Sequence, residues 1–262
     1  MPTLLTLSPV MQALLATVMT CLITTLGALC VFGFRRGHAL LLDAMLAGGA
    51  GVMLASSFFS LLEPGLEMAC SQGQCAWLVG CAGFLVGGVA LLLGEGLFAR
   101  LTHCRGCTEV QRRDRLLVAS ITLHNIPEGL AIGVAFGAAT AGDAGLCRAA
   151  WMLAVGIGLQ NFPEGAAVSL PLHRDGMPRA RACLWGFVSA LVEPLAGLAG
   201  VLLASSARAL LPLMLCFAAG AMILVVIAEL VPESQRSRAP RRMALATLLG
   251  FAIMMALDVA LG

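Results

Sequence analysis

The chain has 262 residues, of which 60% are hydrophobic and 11% charged, and its mean hydropathy is +0.95. Too little polar surface remains to clothe a water-soluble globule, so the bilayer is its natural solvent. The net charge of +2 carries no nucleic-acid signal, because every basic residue is an arginine and their placement follows membrane topology.

Apolar runs recur at roughly 10-33, 39-62, 77-99, 116-139, 150-172, 182-205, 209-231 and 243-261, each near the ~20 residues that cross about 30 Å of hydrocarbon. They lack the ten-residue alternation of barrel strands. The expectation is an all-α integral membrane protein of eight transmembrane helices in a single domain, 1-262. Residues 1 to 9 have no basic flank, so the first span reads as a retained helix and not a cleaved signal. Arg35 and Arg36 follow span 1. Arg100, Arg105, Arg112, Arg113 and Arg115 follow span 3, Arg174, Arg179 and Arg181 span 5, and Arg236, Arg238, Arg241 and Arg242 span 7. The intervening loops hold only Arg148 and Arg208, so the positive-inside rule puts both termini outside the cytosol.

Five cysteines, Cys21, Cys30, Cys81, Cys183 and Cys216, fall in or at the ends of spans, where cysteine behaves as a small hydrophobe. Cys70 and Cys75 sit in the outer loop after span 2; a disulfide between them, or from either to Cys147, competes with free thiols. The phrase His103-Cys104-Arg105-Gly106-Cys107 offers three zinc ligands and lacks a fourth, which leaves metal capture and an ordinary exposed loop both open. Gly129, Gly133 and Gly137 make small-xxx-small steps on span 4, and Gly48, Gly49 and Gly51 cluster on span 2, both suited to close helix contact.

Charge inside a span is the informative anomaly, since an acid at helix centre costs about 2.5-3.5 kcal/mol on insertion scales. Glu128, Glu164 and Glu193 all fall near mid-span, so they are expected to face one another, a wet cavity or a cation. Two of them belong to a repeated phrase: His124-Asn125-Ile126-Pro127-Glu128-Gly129 in span 4 and Gln160-Asn161-Phe162-Pro163-Glu164-Gly165 in span 5. Helical spacing puts His124, Asn125 and Glu128 on one face, and Gln160, Asn161 and Glu164 on another. The two spans run in opposite directions with the phrases near the midplane, the pattern of an inverted pair around a transport site. Pro127 and Pro163 free the carbonyls of Leu123 and Leu159, and kinks are expected there. Imidazole, carboxylates and amide oxygens form a borderline ligand set suited to zinc and tolerant of iron, manganese or cadmium.

HNIPEG followed by QNFPEG in an eight-span chain resembles spans 4 and 5 of the ZIP (Zrt/Irt-like) metal transporter family, and in particular its GufA-like branch. Gly51 to Ser56, Leu191-Val192-Glu193-Pro194 and Ala228 to Glu233 resemble further segments of it. The resemblance implies a divalent metal transporter, with zinc imported toward the cytosol by alternating access. It implies a binuclear site: His124, Glu128, Gln160, Glu164 and the Met53 thioether on one ion, and Asn125, Asn161, Glu164 and Glu193 on the other. Ser60 and Glu67 would lie toward the outer entrance, and Glu229 and Glu233 toward the exit. It implies a homodimer in the plasma membrane, or the inner membrane of a bacterium, with spans 1, 4, 5 and 6 moving against 2, 3, 7 and 8. Metal would be cargo, with no catalytic cofactor.

Two departures stand out. Asn161 occupies a place where some relatives have aspartate, and Ala228 one often held by histidine. The rival readings are a membrane-embedded zinc-dependent hydrolase and a non-transporting scaffold. Against the first, no HExxH occurs, and of His38, His103, His124 and His173 only His124 lies within a span.

Overall fold

The computed structural model describes residues 7-33, 39-101, 108-139 and 144-261, and among these it is helical, with no strand. Helix α1 (Pro9–Ala28) opens on Ser8, whose hydroxyl accepts from the Met11 amide, with Pro9 in the first turn where its missing N–H is harmless. A 3-10 turn, Leu29–Phe32, extends it. The second span is α2 (Ala39–Ser56), a π turn (Ser57–Leu62) and α3 (Glu63–Ser71) in one run. Then follow α4 (Ala76–Leu101), α5 (Glu109–Ala138), α6 (Ala144–Arg174), α7 (Arg179–Ala190) and α8 (Val192–Ser206). The seventh span is α9 (Leu211–Val225), a second π turn (Val226–Leu230) and α10 (Val231–Gln235); α11 (Pro240–Leu261) is the last.

Seven of these segments are long and apolar enough to cross a membrane by length and composition. The eighth, α6, is longer than most at 31 residues but carries Gln160, Asn161, Glu164 and two internal prolines, which dilute its hydropathy. It can afford them because it lies inside the bundle, against α1, α2, α5 and α7. The expected eight-span plan therefore stands, with one span polar because it is a lining helix.

Boundaries moved where capping outweighs hydropathy. Helix α5 begins at Glu109 and not near 116, because Thr108 and Gln111 form a reciprocal capping box that carries the charged Gln111-Arg112-Arg113-Asp114-Arg115 stretch into the helix. The π turns have a common cause. Each ends just before a proline, Pro64 or Pro232, whose absent N–H and ring leave the carbonyl four residues earlier without its usual donor. Helices α5 and α6, by contrast, continue through Pro127 and Pro163.

Two of the four most extensive pairings, α5 with α8 and α1 with α6, lie in one group that also holds α7. The pairings α2 with α11 and α4 with α9 lie in a second, and the groups meet along α2–α6 and α5–α9. This is the division into spans 1, 4, 5, 6 and spans 2, 3, 7, 8. Glycine makes the tight pairs: Gly129, Gly133 and Gly137 face the α8 backbone at Glu193, Gly197 and Val201, and Gly51 faces Thr247 on α11. Leu85, Val89 and Leu93 on α4 and Leu245, Leu248 and Leu249 on α11 stay more than half exposed, as lipid-facing residues do.

Cys70, Cys75 and Cys147 are free thiols here: the first two are exposed, and Cys147 is buried with its Sγ 4.0 Å from Gln12 Nε2. His103, Cys104, Cys107 and the side chain of Glu233 lie outside the described residues.

Candidate metal centre

Helix α5 carries His124, Asn125 and Glu128, α6 carries Gln160, Asn161 and Glu164, α8 carries Glu193 near its start, and α2 carries Met53. All eight are buried, and Asn125, Glu128, Asn161 and Glu193 have no exposed surface. The two phrases do meet: Gln160 Nε2 donates to Glu128 Oε1 at 2.8 Å. Met53 lies one turn beyond Gly49, whose missing Cβ would sit 3.5 Å from the Gln160 Cβ, so that face of α2 is turned to the α6 phrase.

What the site lacks is as telling as its bonds. His124 Nε2, Asn125 Oδ1, Glu128 Oε2, Gln160 Oε1, Asn161 Oδ1 and Glu164 Oε2 are all buried without a hydrogen-bond partner. Each such atom costs about 1-3 kcal/mol when left dry. Six of them on two adjacent helices, four being imidazole or amide atoms and two carboxylate oxygens, make a donor set of a chemistry suited to a divalent cation. No arginine forms an ion pair with Glu128, Glu164 or Glu193 among the described residues.

The amide orientations follow from their partners. Asn125 Nδ2 donates to the Ser189 carbonyl at 2.8 Å, and a carbonyl only accepts, so Oδ1 is the free end. Asn161 Nδ2 donates to Glu193 Oε2 at 3.1 Å, again freeing Oδ1. Glu193 also receives Thr20 Oγ1 on Oε2 and Thr24 Oγ1 on Oε1, the latter at 3.3 Å. Thr20 and Thr24 escape a reading of the sequence. Their i, i+4 spacing on one face of an apolar span is the only signal, and threonine commonly spends its hydroxyl on its own helix.

His124 looks two ways. Its Nε2 is 3.4 Å from Glu229 Oε1, outside hydrogen-bonding alignment, while Ser120 Oγ donates to the same Glu229 oxygen at 2.6 Å. Glu95 on α4 joins them: ligand atoms of Glu95, His124 and Glu229 all lie within 4.8 Å of one another. Glu229 sits in the second π turn, which adds a residue to the helix turn and re-aims the side chain. Glu95 was not singled out from sequence, although an acid within an apolar span is the same signal that marks Glu128. At the other end of the bundle, Ser60 Oγ lies 2.9 and 3.1 Å from the two carboxylate oxygens of Asp258, and Glu67 is exposed.

The family model described as ZIP Zinc transporter matches residues 103–258. Zinc transporter ZIP11 of Homo sapiens is 36% identical over 97% of this chain and 98% of its own length. Zinc transporter ZIPB of Bordetella bronchiseptica is 42% identical over 91% of this chain and 78% of its own. For Zinc transporter GufA of Myxococcus xanthus the figures are 39%, 78% and 81%.

Proposed function

The chain belongs to the ZIP zinc transporter family, and on that premise we propose that it carries zinc, and secondarily other divalent metals, through the buried site on α5 and α6. Transport of divalent metal ions across a membrane is the function. The observation that supports the site assignment is that His124, Glu128, Gln160 and Glu164 each keep a buried ligand atom without a hydrogen-bond partner while Gln160 bonds Glu128 across the two helices. Met53 would add a thioether from the facing helix, and Asn125 and Asn161, next in the chain to His124 and Gln160, each keep a buried oxygen free.

The donor set explains how binding stays reversible. One imidazole, two carboxylates and neutral amides replace the hydration shell of the ion without the thiolates that would hold it permanently. Every one of these ligands except Met53 rides on α5 or α6, in the group that includes α1, α7 and α8. A shift of that group against α2, α4, α9 and α11 would carry the ion with it and open the site to one side and then the other.

With the arginine-rich loops in the cytosol and both termini outside, Ser60 and Asp258 lie at the outer end of the path and Glu95 and Glu229 at the inner end. His124, shared between the centre and the Glu95–Glu229 pair, is then the residue that hands the ion inward. Import toward the cytosol is the direction this order favours. The hydrolase reading has no support: the relatives are named as transporters, and the centre contains a single histidine.

The test is zinc entry into liposomes holding the purified protein and a trapped fluorescent indicator. Saturable entry above protein-free vesicles is expected. Because imidazole and carboxylate ligands bind metal deprotonated, apparent zinc affinity should fall as pH falls, by about tenfold per unit for each proton displaced. Absence of saturable entry at any pH would sink the transport reading and bring the scaffold alternative forward.

A further inference from the structure

We propose that Glu193 is a positioning residue and not a metal ligand, and that the centre accordingly takes one divalent ion per chain; this rests on the transport site proposed above. The carboxylates of the centre are not alike. Glu128 and Glu164 each keep an Oε2 without any partner, whereas both oxygens of Glu193 are engaged. Glu193 Oε2 receives the Thr20 hydroxyl and the Asn161 amide, and Oε1 receives the Thr24 hydroxyl. The two hydroxyls also lie 3.0 and 3.1 Å from the carbonyls of Thr17 and Thr20 in their own helix. A charged acceptor makes the stronger bond and draws the protons to itself.

This network decides what residue 161 can do. Asn161 points its –NH2 at Glu193 and its free Oδ1 away, so the space where a second ion would lie between the two side chains is occupied by an N–H proton. An aspartate at 161 would instead set two carboxylates about 3 Å apart, an arrangement that requires a proton or a cation between them.

Glu193 thereby acts through Asn161. Held by α1 at Thr20 and Thr24, it fixes the amide so that Oδ1 faces the ion, as the Ser189 carbonyl does for Asn125. The three helices α1, α6 and α8 are thus locked together beside the ion by Thr20, Thr24 and Glu193, which do not touch it, acting on the Asn161 amide, which does.

Zinc bound per chain is measured by equilibrium dialysis and elemental analysis of the purified protein, and the value for the Glu128→Ala/Glu164→Ala double variant is subtracted to remove zinc held elsewhere. A difference of one ion is expected. A difference of two overturns the proposal and leaves the transport site standing, whereas a difference of zero removes the transport site itself. Asn161→Asp should raise the difference to two; a value that stays at one overturns the role given to residue 161. Glu193→Gln should keep one ion, and loss of all site-specific zinc would make Glu193 a ligand after all. Thr20→Val, isosteric but without a donor, should weaken zinc affinity by about tenfold, as changes behind a metal ligand do, and Thr20→Ser should restore it. Equal affinities for the valine and serine variants would mean the hydroxyl positions nothing.

Discussion

Glu128→Gln should reduce zinc entry into proteoliposomes by roughly 100-fold or more while leaving the ion-free protein at least as resistant to heat as the wild type. The flux loss follows from removing one of the two carboxylates with a free oxygen, a larger change than the 10-100-fold effects of altering residues behind a ligand. The stability gain has the opposite origin. Glu128 is fully buried, accepts one hydrogen bond from Gln160 and leaves Oε2 unpaired. An acid at membrane depth costs about 2.5-3.5 kcal/mol on insertion scales, and an amide of the same shape avoids most of that. Added zinc should reverse the order. Ligand at 100 times its dissociation constant stabilises the binding-competent protein by about 2.7 kcal/mol, and the variant forgoes it. Thermal denaturation followed by intrinsic fluorescence, with and without zinc, measures both halves. A variant that transports normally, or that zinc stabilises as much as wild type, would place Glu128 outside the ion's coordination.

The buried polar faces of the candidate site were legible because two independent patterns coincide on them. Acids at mid-span are costly, and the i, i+1, i+4 spacing of His124, Asn125 and Glu128 and of Gln160, Asn161 and Glu164 puts each trio on one face. Their convergence was also implied by the antiparallel repeat, and Gln160 does reach Glu128. The glycine steps on α5 announced a close neighbour but not its identity, which is α8. What stayed hidden depends on partners distant in the chain. Thr20 meets Glu193 across 173 positions, and Ser60 meets Asp258 across 198. Nothing local distinguishes those hydroxyls from ones bonded to their own helix. Amide orientation was hidden for the same reason. Whether Asn161 turns its oxygen or its –NH2 toward Glu193 is set by the donors already on that carboxylate, and those come from α1. Hydropathy misjudged the start of α5 because a capping box is a matter of two side chains, not of average polarity.

Gly133→Leu should prevent recovery of a monodisperse, folded protein, and Gly94→Leu should not. A side chain at 133 has nowhere to go: its Cβ would fall onto the Gly197 carbonyl and 2.9 Å from the Val201 nitrogen, both backbone atoms of α8. Backbone cannot yield as a flexible side chain does, so α5 must move bodily outward, and overpacking of even milder kinds costs about 1-3 kcal/mol. In lipid no hydrophobic gain drives the two helices together; their association rests on van der Waals contact that the glycines alone permit. Displacing α5 also displaces His124 from Glu229, Asn125 from Ser189 on α7 and Glu128 from Gln160 on α6, so any folded fraction should bind zinc poorly. Gly94 has no atom within 4 Å of its Cβ position, on an α4 that shows much of its surface, and a leucine there simply meets lipid. Size-exclusion elution and zinc entry for the two variants read the contrast directly. Normal elution and transport by Gly133→Leu would mean that α5 and α8 stand farther apart than their backbones do here, and that the alignment of the α5 ligands does not depend on that contact.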